Sequence, residues 1–220
     1  MSNFWHYPDN PKFWEGQTAF ILGGGPSLDM PLGRLYDKNV IGVNEAFKLG
    51  DWVDVNFIGD YKYYNHNKMN LYNYNGITVS CVGGTINDPN VLTVYSSNEV
   101  MTLKKGRIGK SLNSGISAIN LAYQFGVKEI VLLGFDMGIH NGQNWHNNNV
   151  AINQFKKQIT EKYYAKVRSV IESRVSDVLE KAGVKVVNCT PDSQLECFEK
   201  MSLDEYFLQQ DKYINDFNEE

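Results

Sequence analysis

Ala19-Phe20-Ile21-Leu22-Gly23-Gly24-Gly25-Pro26-Ser27-Leu28-Asp29 is the stretch from which the fold of this 220-residue chain is read. The apolar run Ala19–Leu22 suits a short buried strand, and the three glycines after it break the strand. Pro26 fits the first position of a helix, where its missing N–H costs nothing. Glycines between a strand and a helix start let the backbone approach a ligand closely. The free N–H groups and the positive helix end then favour an anion, of which phosphate is the natural one. The stretch is not a Walker A loop, because no Gly-Lys-Ser/Thr follows. Nor is it the dinucleotide fingerprint, because no third glycine follows three residues after the second. A tight strand-to-helix turn with no ligand carries the same signature, so the loop's own residues leave both readings open.

Working outward, further apolar runs punctuate the chain. Val40-Ile41-Gly42-Val43 reads as a second strand with Asn44-Glu45 at its carboxyl end, and Val53 to Gly59 as a third ending at Asp60. Ile77 to Val82 and Val91 to Tyr95 follow as strands, with an Asn/Tyr-rich segment over residues 61–74 read as an irregular helix and loop. Asn113-Ser114-Gly115 opens a helix whose Ile116, Ala118, Ile119, Ala122 and Tyr123 fall on a helical spacing, a second backbone-accessible anion site. Ile130-Val131-Leu132-Leu133-Gly134 is the clearest buried parallel strand, with Asp136 at its carboxyl end. Residues 152–182 read as a long helix broken near Lys162-Tyr163-Tyr164 and capped by Gly183. Val184 to Cys189 is the last strand, Thr190-Pro191-Asp192-Ser193 turns the chain into another helix, and the acidic residues 202–220 end it as a helix with a frayed tail.

Alternating strands and helices without a repeat or linker predict a single α/β domain over residues 1–220. Its sheet is mostly parallel with helices on both faces, Rossmann-like in a variant form, and residues 1–16 make an aromatic lead-in that packs on the sheet. Ligands of such sheets bind beyond the carboxyl ends of the strands. The Gly23, Gly24, Gly25, Pro26, Ser27 loop, Asn44, Asp60, the Asn113, Ser114, Gly115 helix start and Asp136 all belong to that edge.

Composition sets bounds on partners. A net charge of −4 argues against broad nucleic-acid binding, and no apolar run reaches membrane-spanning length. Cys81, Cys189 and Cys197 lack metal-ligand spacing and read as reduced thiols of a cytoplasmic protein. Lys104, Lys105, Arg107 and Lys110 form a small basic cluster, either a solvated loop or a contact for phosphate or an acidic sugar. Residues 138–150 form a polar loop with His140, His146 and Trp145. The histidines are either exposed loop residues or candidates for a base.

These motifs in this order, Ile-Leu-Gly-Gly-Gly-Pro-Ser-Leu, Val43-Asn44-Glu45-Ala46-Phe47, Asn113-Ser114-Gly115, Leu133-Gly134-Phe135-Asp136 and Thr190-Pro191-Asp192-Ser193, resemble the MptE-like superfamily over most of the chain. That group holds archaeal 6-hydroxymethylpterin diphosphokinases, flagellin-glycosylation motility accessory factors and phage proteins. The Trp14-Glu15-Gly16 and Trp145-His146 segments look most like the phage members, which implies the host cytoplasm. The chain is more distantly similar to bacterial sialyltransferases with a Gly-Asn-Gly-Pro-Ser-Leu loop. That resemblance implies that the glycine loop, Asn44 and Ser114-Gly115 surround the nucleotide of an activated donor. The chain departs from it in two places: no histidine lies near the start of the long helix, and Gly138 stands where those enzymes place a tyrosine.

Three functions follow from these residues and resemblances. One is a nucleotide-dependent glycosyltransferase with a glycan or small-molecule acceptor and no required cofactor, its base drawn from His146, His140 or Asp60. Another is a magnesium- and ATP-dependent diphosphokinase, with Asp60 and Asp136 as the metal-holding pair. The third is a binding protein for a nucleotide or sugar phosphate without turnover.

Overall fold

The computed structural model describes residues 13–82, 88–104, 106–109, 111–139, 145 and 160–218, with side chains to residue 213. Eight strands form one sheet in which every pairing is parallel. They are β1 Thr18–Leu22, β2 Asn39–Val43, β3 Val55–Ile58, β4 Ile77–Ser80, β5 Val91–Thr93, β8 Glu129–Leu133, β9 Lys185–Asn188 and β10 Glu199–Lys200. A separate parallel pair, β6 Tyr95–Ser97 and β7 Arg107–Gly109, lies outside it.

The order across the sheet is β10-β9-β8-β1-β2-β3-β4-β5. The chain therefore builds outward from β1 on one side, returns, and builds outward on the other. The direction of winding reverses between β1 and β8, the position at which an open α/β sheet leaves a crevice at its carboxyl edge. Both strands are apolar and fully buried over four residues, as expected of central parallel strands covered on both faces.

Helices α1 Tyr61–Tyr72, α2 Ser114–Gln124, α3 Glu161–Val170, α4 Ser176–Lys181 and α5 Leu203–Asn218 cover the two faces, with a π-helical turn at Ile171–Val175 joining α3 to α4. One core layer joins Ile21, Leu132 and Phe57 to Ile116, Ile119, Val167 and Val175. The opposite layer joins Phe20, Leu22 and Leu133 to Leu203, Tyr206 and Phe207. Of the lead-in, residues 13–16 are described: Trp14 is buried, and its ring meets Phe125, just past α2, edge-on at 5.0 Å.

Several local details differ from the sequence reading. The segment after Asp60 is a regular 12-residue helix, because Asp60 Oδ1 caps it by accepting Lys62 N at 2.8 Å and Tyr63 N at 3.2 Å. No break falls at Lys162-Tyr163-Tyr164. Thr160 caps α3 there, so those residues form its first turn. Past Pro26 the chain makes a single 3-10 turn, Pro26–Leu28. Thr190–Ser193 leads to the short strand β10 before α5, which starts with a capping box: Glu205 N donates to Ser202 Oγ and Ser202 N to Glu205 Oε2.

The β6–β7 pair was not legible in the chain because buried side chains on α2 hold it. Asn120 Oδ1 accepts Gly109 N at 2.6 Å and Thr102 N at 3.3 Å, and Asn120 Nδ2 donates to Thr102 O at 2.9 Å. Gln124 Nε2 adds bonds to Thr102 O and Arg107 O. Of the basic cluster, Lys104 pairs with Glu99 at 2.7 Å and Arg107 bonds Ser96 O at 3.3 Å, while Lys105 and Lys110 lie outside the described residues. Asn120→Leu leaves buried backbone groups of residues 102 and 109 unpaired, each costing about 1–3 kcal/mol. Urea unfolding of that variant is expected to show a loss of about 3 kcal/mol, with most of the sheet intact by circular dichroism.

Candidate functional site

Glycine lets β1 and β8 exit the sheet in contact. Past the strand ends the ladder continues, with Gly23 N donating to Leu133 O at 2.7 Å and Gly25 N to Gly134 O at 2.9 Å. A Cβ on Gly23 would lie 2.5 Å from Gly134 O, and one on Gly25 would lie 1.7 Å from Asp136 Oδ2. No other residue fits either position without moving backbone.

The Asp136 carboxylate sits on the turn from which a phosphate was expected to draw its donors. Ser27 N donates to Asp136 Oδ1 at 3.2 Å and Ser27 Oγ to Asp136 Oδ2 at 2.7 Å. Asp136 is buried, and it supplies the negative charge that the start of the Pro26 turn favours. Among the described residues, Gly24 N is the loop donor left without a hydrogen bond.

The neighbouring strand ends and the start of α2 continue the same edge. The Phe135 ring lies between the loop and the helix start, since Cβ atoms built on Gly23 and Gly115 would each stand 3.0 Å from it. Asn113 caps α2 by accepting Gly115 N at 2.7 Å. A Cβ on Gly59, beside Asp60, would stand 2.9 Å from Ser114 Oγ, so the end of β3 touches α2 as well. Asn44 joins through Asn56, whose Nδ2 donates to Asn44 O at 3.0 Å. Neither Ser114 Oγ nor the Asn44 side-chain amide makes a hydrogen bond among the described residues, and both residues are half-buried.

Contacts therefore link Gly23–Ser27, Asp136, Asn113, Ser114, Gly115 and the end of β3 at one edge of the sheet, and Asn44 follows β2 at the same edge, bonded to Asn56 of β3. Asp60 stands at that edge exposed, its Oδ1 engaged as the α1 cap. Trp145 reaches the loop through its backbone, donating N–H to Gly24 O at 3.4 Å, and its ring packs on the second core layer. His140 and His146 lie outside the described residues.

Four side chains beyond the expected site brace this edge: Thr190 and Ser193 of the turn motif, and Arg168 and Tyr163, which sequence reasoning missed. Thr190 Oγ1 accepts Phe135 N at 3.2 Å and Ser193 Oγ donates to Phe135 O at 2.6 Å, so the Thr190–Ser193 motif holds the backbone of the β8 exit. Arg168, from α3, donates to Met137 O at 2.6 Å, to Gln194 Oε1 at 2.5 Å and to Glu161 Oε1 at 2.6 Å. Tyr163 OH bonds Leu112 O at 2.9 Å beside Asn113. Burial, then the neighbouring Tyr163 and Asp136, raises the Tyr164 phenol above its ordinary value, and burial does the same for Tyr163, so both stay protonated. Their spacing from the motifs carries no signal that sequence reading alone detects.

No protein-family model matches the chain, and no curated protein does. Solved structures do resemble it in fold. The sialyltransferase CstII from Campylobacter jejuni, in complex with CMP, superposes with a TM-score of 0.51 at 18% identity, covering 86% of both chains. The monofunctional α-2,3-sialyltransferase Cst-I from the same organism gives 0.54 at 17% identity, covering 86% of this chain and 81% of that one. The MAf glycosyltransferase from Magnetospirillum magneticum AMB-1 gives 0.58 at 13% identity, and there this chain spans about a third (34%) of the other protein. The shared feature is a Rossmann-like α/β fold. In the described residues no helix is long and apolar enough to cross a membrane.

Gly25→Ala drives a methyl group into the Asp136 carboxylate, whereas Gly33→Ala meets nothing within 4 Å. The first is expected to cost about 2 kcal/mol and the second less than about 0.5 kcal/mol, read by paired thermal denaturation.

Proposed function

We propose that this protein is a nucleotide-dependent glycosyltransferase whose donor is a nucleotide-activated sugar of the cytidine type. What supports the reading is that three polar groups without a hydrogen bond among the described residues stand on segments at the carboxyl edge of the sheet: Gly24 N after β1, the Asn44 amide after β2 and Ser114 Oγ at the start of α2. The sialyltransferase-like fold supports the donor class, and the motif order that resembles the MptE-like group supports a nucleotide ligand in the same place.

Within the crevice the charge pattern orders the ligand. A phosphate on Ser27 N would face the Asp136 carboxylate at contact distance, and that repulsion disfavours it. The α2 start carries no such charge, and Asn113 leaves its first N–H free while Ser114 offers a hydroxyl. The phosphate is assigned to the N–H and hydroxyl of Ser114 at the α2 start, and the nucleoside to the side of Asn44 and the glycine loop. Displacing the nucleotide from the sugar needs charge stabilisation at that helix start and a base near the acceptor hydroxyl. Asp60 is less suited to the base role because its carboxylate holds the first turn of α1. The base is assigned to His146 or His140, on the segment whose Trp145 contacts Gly24.

A magnesium-dependent diphosphokinase fits these residues less well. Asp60 caps α1 through Oδ1 and Asp136 accepts from Ser27 through both oxygens, so each carboxylate already holds a turn of the chain.

A thermal-shift panel of CMP, UDP, GDP, ATP and CMP-sialic acid, each with and without magnesium, tests the reading. Saturating CMP or CMP-sialic acid is expected to raise Tm by about 5 °C without metal, from ligand linkage in a chain of this size. A shift with ATP that depends on magnesium selects the diphosphokinase. Silence with every nucleotide ends both enzymatic readings, and binding of CMP-sialic acid without turnover over a range of acceptors leaves a binding protein.

A further inference from the structure

Only two non-glycine residues among those described have a left-handed backbone: Asn44, with φ of 55°, and Met137, with φ of 54°. Both stand where a strand leaves the sheet at the carboxyl edge, Asn44 directly after β2 and Met137 shortly after β8. In each case a side chain from elsewhere in the fold grips the carbonyl of the strained residue, Asn56 at Asn44 and Arg168 at Met137. Such conformations persist only where the surroundings impose them, and they concentrate at functional sites.

We propose that Asn56 is a positioning residue that holds Asn44 left-handed and so sets the side-chain amide with which Asn44 meets the ligand. The ligand half of this inference rests on the nucleotide reading above. Asn56 lies in the middle of β3, is fully buried, and has Val55, Phe57 and Ile58 as its strand neighbours. Its Oδ1 has no hydrogen-bond partner among the described residues, a costly arrangement that an apolar side chain would avoid. Packing alone therefore gives no reason for an amide here. The bond from its Nδ2 to Asn44 O does.

Gly42 belongs to the same device. It pairs with Asn56 across the sheet, and a Cβ at Gly42 would stand 2.8 Å from Asn56 Oδ1 and 2.8 Å from the Ala46 methyl. Glycine there gives the amide room to reach the end of the neighbouring strand. Asn44 opens the 3-10 helix Asn44–Leu49; without the donor its carbonyl loses the side-chain partner that reaches it from β3, and the residue relaxes towards negative φ, which moves its side chain.

The test uses the full chain, isotope-labelled for NMR, with Asn56→Leu as a near-isosteric variant that lacks the donor. The Cα and Cβ shifts and the amide–Hα coupling of Asn44 read its φ, and CMP titration reads the affinity. Asn56→Leu is expected to lose the left-handed signature at Asn44 and to weaken CMP roughly tenfold, the order set by one strained residue. Val55→Ala, on the same strand and the opposite face, removes core packing and is expected to leave both readouts unchanged. If Asn56→Leu does not fold, Asn56→Ser, whose shorter side chain does not span the gap, is read in the same way.

Retention of the left-handed signature in the folded variant overturns the proposal. So does an unchanged CMP affinity once the signature is lost, or an equal loss of affinity in Val55→Ala. If the unmodified protein does not bind CMP while the signature responds as expected, the nucleotide reading fails and the hold of Asn56 on Asn44 stands.

Discussion

The close approach of the β1 and β8 exits is the constraint on which the rest of the carboxyl edge depends. Two strands that pair in parallel along five residues would normally diverge once each turns into its own connection. Here they stay in register for two more hydrogen bonds, because Gly23 and Gly25 present no Cβ to Gly134 O and Asp136. The Asp136 carboxylate then fills the space that a side chain on residue 25 would have taken, and it accepts from both Ser27 donors. A loop whose sequence advertises an anion site thus has its anion supplied from within the chain.

Polar side chains from distant elements make that edge rigid. The Thr190–Ser193 turn fixes Phe135 from one side, Arg168 fixes Met137 from another, and Asn56 fixes Asn44 from inside the sheet. In a low-dielectric interior each such bond is strong when made and costly when broken, so the arrangement is held in one state. This is the form of preorganisation that a site for a polar ligand needs, since the donors are aimed before the ligand arrives. The groups left without a hydrogen bond among the described residues follow β1 and β2 and open α2.

Local chemistry made much of this legible in the sequence. Four apolar residues ending in glycine identify β1 and β8, and the residue types at Asp60 and Asn113 are those that cap helices, as both do. The parallel sheet followed from the alternation of elements. What stayed hidden depends on register between segments far apart in the chain. Ser27 and Asp136 are 109 residues apart and meet only because β1 lies beside β8, and no local pattern encodes that. Ser117, Asn120 and Gln124 put buried polar groups along one face of α2, and their purpose appears only when the backbone of residues 102, 107 and 109 is brought against Asn120 and Gln124. The tyrosine pair at the start of α3 reads as a break because aromatic residues are moderate helix formers, yet Thr160 and packing against the α2 start outweigh that preference.

The solved structures share less than a fifth of their residues with this chain, so the common fold cannot carry the chemistry across, and the chemistry has to come from the groups left over once internal bonding is complete. Those groups are unevenly matched to a ligand. Ser114 and the first N–H of α2 donate next to a positive helix end, whereas the Asn44 amide both donates and accepts. Under the proposed function, an anionic group and a neutral, mixed donor–acceptor group would go to these two places on the carboxyl edge, and Asp136 would favour hydroxyls over phosphates at the glycine loop, because a buried carboxylate accepts hydrogen bonds and repels anions. A nucleoside with a single phosphate end satisfies all three demands along one molecule; inorganic phosphate satisfies one.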